Sequence, residues 1–146
     1  MNTTTTSPPE RHPQRGGLNP IHGVLLAGTF ILFLGAAITD YAYAESYQIQ
    51  WATFSSWLIA FALVLNGLSF LGGVFNIFRK ATRRPALIYC ALLLVSFVTG
   101  FINALVHARD AWAMMPTGLV LSMVVAVLTG VAAWLGFSRL GSGVRS

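Results

Sequence analysis

The sequence predicts an all-α integral membrane protein, a four-helix up-down bundle with both termini in the cytoplasm. Three observations lead there. The chain of 146 residues is 55% hydrophobic and only 9% charged, with mean hydropathy +0.70, where a soluble domain carries about 25% charged residues. Its apolar residues stand in four long runs rather than on one face of shorter elements. Its basic residues fall almost entirely on one side of the topology that those runs define.

The runs cover residues 21–39, closed by Asp40, then 51–78, 86–106 and 118–137. A helix needs about 20 apolar residues to cross a hydrocarbon core of about 30 Å, so each run qualifies. Helix starts are marked by Asn19 as N-cap before Pro20, by Pro85, and by Pro116. The connections 42–50, 79–84 and 107–117 are short, which favours antiparallel neighbours. The expected organisation is a disordered cytoplasmic tail over 1–18, a membrane domain over 19–138 and a cytoplasmic tail over 139–146. The spans fall near 21–41, 52–78, 86–106 and 118–138.

Four spans put both tails and the middle loop on one side. Arg11, Arg15, Arg79, Lys80, Arg83, Arg84, Arg139 and Arg145 lie there, against Arg109 alone on the other. The positive-inside rule makes the basic side cytoplasmic. Asp40, Glu45 and Asp110 then face outward with Tyr41, Tyr43, Tyr47, Trp51 and Trp112, an aromatic belt at the outer interface. A basic tail, an apolar run and Ala42-Tyr43-Ala44 also resemble a cleavable signal peptide. The run is longer than a signal core and tyrosines flank the site, which favours an uncleaved first span.

Helices in lipid associate through small residues and a few interhelical hydrogen bonds. Ser55, Ile59, Ala62, Asn66, Ser69, Gly73 and Asn76 form such a seam on the second span, and Gly118, Ser122, Ala126, Thr129, Ala133 and Gly136 on the fourth. Tyr89, Ser96 and Asn103 mark a face of the third span, and Gly28 with Gly35 a face of the first. The polar members of the seam are expected to hydrogen-bond between helices and hold the bundle. The alternative is a path for a small solute, carried by an oligomer because four spans make a thin wall.

Chemistry-bearing residues concentrate in VHARDAWAMMPTG, residues 106–118. With Asp40 and Tyr41 from the end of the first span, His107, Arg109 and Asp110 make a candidate polar cluster on the outer face. Catalytic sets are otherwise missing: there is no Gly-x-Ser-x-Gly elbow, no phosphate loop and no second zinc ligand beside a histidine. Cys90 is the single cysteine, so no disulfide forms within the chain. His22 and His107 belong to opposite ends of the membrane and cannot share one haem iron. A His–Met pair from His107 with Met114 or Met115 is the remaining haem geometry. No cofactor, metal or catalytic residue is therefore expected. The basic loop RKATRR serves as topology determinant, with anionic headgroups or a protein as possible partners.

The stretches NPIHG, AAITDYAYA, WATFSSWLIAFAL, FINALVHARDAW and GLVLSMVVAVLTGVAAWLG resemble, in order and spacing, a family of small bacterial membrane proteins catalogued as domain of unknown function 2231. The resemblance covers roughly residues 17–138. Family members often carry a histidine–proline pair twice at the first helix start and an aspartate near the end of the second span. This chain has Asn19, Gly23 and Asn76 at those points. The resemblance implies a four-span protein of the bacterial inner membrane and carries no activity with it. The functional expectation is a non-enzymatic membrane anchor or accessory subunit. The alternatives are a haem b or quinone-binding electron-transfer subunit, and a small-solute transporter. Expected partners are the bilayer, a membrane or periplasmic protein and further copies of the chain, but no nucleic acid.

Overall fold

A computed structural model describes residues 20–79, 84–109 and 111–141. The expected N-terminal tail, the Asn19 cap, residues 80–83 of the basic loop, Asp110 and residues 142–146 lie outside the described residues, as do the side chains of Asn76 and Trp112, whereas residues 139–141 of the expected C-terminal tail are helical. Helix α1 spans Pro20–Ser46, α2 Ile49–Arg79, α3 Arg84–His107, α4 Ala111–Met114 and α5 Thr117–Gly141. Four of them, α1, α2, α3 and α5, are long and apolar enough to cross a membrane. Backbone groups find no partner in hydrocarbon, so such segments close every hydrogen bond within the helix.

α1 and α3 each lie beside α2 and α5, and face each other only across the bundle axis. One end of the bundle holds the start of α1 and the end of α5, and is called here the terminal end. The other, distal end holds the turns from α1 to α2 and from α3 to α5. Large apolar side chains cover the outside, among them Ile31, Trp57, Phe75, Phe101, Val127 and Trp134. In a bilayer these lie against acyl chains, and the protein is a multi-pass membrane protein.

Two features at the distal end differ from the sequence expectation. Most of 42–50, expected as a connection, is helical, because α1 runs on to Ser46 and α2 begins at Ile49. The turn is reduced to Tyr47 and Gln48. Tyr47 takes the left-handed conformation (φ 53°) and its N–H donates to the carbonyl of Tyr43 at 2.7 Å, a C-terminal stop that glycine usually supplies. The stretch between α3 and α5 contains the single turn α4, followed by a cis Met115–Pro116 peptide.

The described members of the seams expected on the second, third and fourth spans are all buried. On the first span the buried face is instead Leu26, Thr29, Phe33, Ala36, Ala37, Asp40 and Tyr43. Gly28 and Gly35 sit beside it, where the leucine side chains of Leu65 and Leu58 on α2 press against the helix.

Candidate functional site

Asp40 belongs to the buried stripe of α1, one helical turn beyond Ala36 and Ala37 and one before Tyr43. That stripe carries its carboxylate into the bundle instead of to the outer face. His107 ends α3 and meets it across the axis: Nε2 lies 2.8 Å from Asp40 Oδ1, with the side chains 1% and 0% exposed. Ser122 of α5 donates to Asp40 Oδ2 at 2.5 Å, and Asn103, one turn below His107, donates from Nδ2 to Ser122 Oγ at 2.7 Å. Ser55 of α2 donates to the carbonyl of Ala36 at 3.3 Å and lies 3.3 Å from His107 Nε2. All four long helices thus supply one side chain or more to a single network.

Donor and acceptor accounting locates a proton in it. The carbonyl of Asn103, 2.9 Å from His107 Nδ1, can only accept, so Nδ1 carries hydrogen. Ser122 spends its proton on Oδ2 and Ser55 spends its own on Ala36. Nε2 faces Asp40 Oδ1 and Ser55 Oγ, and one proton between Nε2 and Oδ1, carried by either atom, closes that contact. Two groups that can bear opposite charge are thus paired, and each is further hydrogen-bonded. Such compensation is what makes a charge tolerable in a low-dielectric interior.

The pair is enclosed on two sides. Tyr43, Ala52, Val106 and Met114 form an apolar cluster at the distal end, with Trp51, Met115 and Leu121 around it. α4 contributes Met114 to this cover, and Gly118 provides the space: a Cβ there would lie 3.0 Å from both His107 Cε1 and Met114 Cγ. Toward the middle of the bundle, Phe33, Ala36, Ile59, Ala62, Val125 and Ala126 form a second apolar cluster. A cleft of about 150 Å³ between α2 and α3, lined by Ser56, Ala104, His107 and Ala108, leads sideways to the histidine.

Of the residues expected to make an outer-face cluster, the structure brings Asp40 and His107 together. Tyr41 is 55% exposed and lines an apolar groove with Leu34, Ile38 and Met123. Arg109 is exposed. Sequence reasoning placed Ser55, Asn103 and Ser122 on the packing seams without joining them to the pair. The signal was available, since Asp40 falls on the same helical stripe as Phe33, Ala36 and Tyr43.

A second histidine contact closes the terminal end. His22 Nε2 and the Tyr89 hydroxyl are 2.8 Å apart, again between α1 and α3. Between the two ends, Thr29, Asn66, Ser69, Ser96 and Thr129 are fully buried. Thr29, Ser96 and Thr129 donate to carbonyls of their own helices. Among the described residues, Asn66 Nδ2 and Oδ1, Ser69 Oγ and Asn103 Oδ1 have no hydrogen-bond partner.

This arrangement limits the chemistry. A nucleophilic triad sets serine on one imidazole nitrogen and the carboxylate on the other. Here Ser55 and Asp40 share Nε2 while Nδ1 is tied to a backbone carbonyl. Both ring nitrogens of His107 are engaged in hydrogen bonds, with Met114 close by. Among the described residues no three of histidine, cysteine, aspartate and glutamate gather as a metal site. What the network holds is a carboxylate–imidazole contact inside the bundle, bonded to side chains or backbone of all four long helices.

A family model described as a predicted membrane protein family, DUF2231, matches residues 18–140. No curated protein and no solved structure is significantly similar to the chain.

Proposed function

We propose a function from the premise that this chain belongs to the DUF2231 family of predicted membrane proteins, which assigns it no activity. It is a non-enzymatic, multi-pass protein of the bacterial inner membrane that takes up and releases protons at the buried Asp40–His107 pair. The single observation that carries this reading is a fully buried carboxylate, within a membrane-spanning helix, bonded to an imidazole at 2.8 Å. Ionisable groups inside a membrane are costly, and where they stand in pairs they mark ion paths and proton relays. A passive anchor or accessory subunit accounts for the packing seams but not for Asp40, since small residues and amides alone would hold the bundle. The basic residues of the tails and middle loop support cytoplasmic termini, which sets the pair near the periplasmic surface.

Difference infrared spectra of the purified protein across a pH step test the reading. The expected result is a carboxyl band and an imidazole band that change together, the first lost in Asp40→Asn and both altered in His107→Gln. Spectra in which neither band responds to pH would overturn it.

A further inference from the structure

We infer that the Asp40–His107 pair exchanges its proton with water at the distal end alone, through the cleft between α2 and α3 that Ser56, Ala104 and Ala108 line. This route rests on the proton chemistry proposed for the pair, and it gives that chemistry one side of the membrane.

Among the described residues, the other ways out of the pair are closed by carbon. Toward the distal end lie Tyr43, Ala52, Val106 and Met114, all buried. Leu58 lies against Gly35 between α1 and α2, and Met114 against Gly118 of α5. The groove between α1 and α5, with Ala37, Tyr41, Met123 and Ala126 in its wall, is lined by apolar atoms alone. Along the axis, the ring of Phe33 reaches across to Gly100, where a Cβ would lie 2.8 Å from its Cζ. Ile59, Ala62, Val125 and Ala126 pack around that ring. A further apolar layer fills the axis nearer the terminal end. His22 with Tyr89 and Asp40 with His107 are both separated by 67 positions. The same offset sets Leu26 opposite Leu93, both fully buried, and Tyr89, Cys90, Ala132 and Ala133 complete the layer.

The α2–α3 side differs. The N–H of Ala108 donates to the carbonyl of Ala104, which carries helical geometry just past His107. Residues 104 and 108 therefore share one face of α3. Because both are alanine, a cleft of about 150 Å³ remains there, and it ends on His107. Ser56 on the α2 wall donates to the carbonyl of Ala52, so its oxygen keeps lone pairs for water. Beyond His107 the chain leaves through Ala108 and Arg109, both exposed. A guanidinium keeps its charged head in water, and the last carbonyls of a helix lack intrahelical donors and draw water too. The mouth of the cleft is thereby wet. Within the network, Asn103 Oδ1 has no partner among the described residues, and buried oxygens of that kind are normally bonded to internal water.

His107, with its side chain 1% exposed, closes the inner end of the cleft, and Asp40 lies behind it. A swing of the imidazole brings cleft water to the pair. Hydronium then gives one proton to the pair and leaves a water molecule, and the pair gains one positive charge. Release is the reverse, and no electron moves.

The test uses the full chain in sealed liposomes, prepared with the distal end outward or inward and checked by trypsin access to the Arg79–Arg84 loop. The outer pH is stepped while the lumen stays buffered, and the infrared bands of Asp40 and His107 are followed in time. A prompt response is expected with the distal end outward, and one delayed until the lumen pH changes with it inward. Equally prompt responses in both orientations would overturn the inference. Ala104→Leu and Ala108→Leu fill the cleft, and each is expected to slow the prompt response several-fold without changing its final amplitude. Ala91→Leu, the same change at an exposed position near the other end of α3, is expected to keep the wild-type rate. Folded cleft variants as fast as wild type would overturn the route, and the sidedness of the wild-type protein decides it where they fail to fold. Detergent-solubilised wild-type protein is read alongside. If its bands respond to pH while sidedness or cleft filling fails, the route is wrong and the proton site stands; if they do not respond, the proton site is wrong.

Discussion

The two ends of the α1–α3 diagonal hold a histidine each, at the same offset, in different company. His107 is 1% exposed and bonded to a carboxylate, a backbone carbonyl and a serine. His22 is half-buried and shares its Nε2 with the phenol of Tyr89. The distal contact joins two groups that can bear opposite charge, and burial makes each depend on the other. The terminal contact joins a neutral phenol and a ring that water can still reach. Position alone therefore does not decide what an intramembrane histidine does; its partner and its enclosure do.

The comparison can be broken most severely at Asp40. Asp40→Ala leaves His107 and Ser122 without their acceptor, and removing one member of a buried pair costs about 3–5 kcal/mol. Unfolding in detergent should show the loss, and a variant as stable as wild type would mean that the pair is not charged. Ser122→Ala removes the hydrogen bond to the carboxylate, for which about 1.5–3 kcal/mol is expected, and with it the acceptor of Asn103 Nδ2. The same unfolding measurement in the Asp40→Asn background should show a smaller loss, since the charge is gone. Tyr89→Phe at the terminal end deletes a single bond of the kind that averages about 0.6 kcal/mol in membrane proteins. An effect as large as that of Asp40→Ala would erase the distinction between the two ends.

Much of this architecture is legible in the sequence. Heptad spacing located the buried faces of α2, α3 and α5, because in lipid a helix turns its small and polar residues inward and the pattern survives without any charge contrast. The fate of Asp40 was harder to read. A charged residue at the end of an apolar run marks the edge of a span in hydropathy terms, yet α1 continues through Ala42, Tyr43 and Ala44 and keeps its inward stripe. Tyr41, its immediate neighbour, is turned outward by the same helical geometry. His107 was nominated from residue type and side of the membrane, and only the register between α1 and α3 shows that it reaches Asp40. The left-handed Tyr47 and the single turn α4 left no sequence signal, since neither glycine nor a helical period marks them.

The shared offset of 67 positions has a mechanical consequence. α1 and α3 are bolted to each other at both ends of a diagonal, through side chains that cross the centre of the molecule. Sliding one helix along the other by a single turn, about 5.4 Å, breaks both bolts at once. Any displacement that keeps both contacts must carry α1 and α3 together.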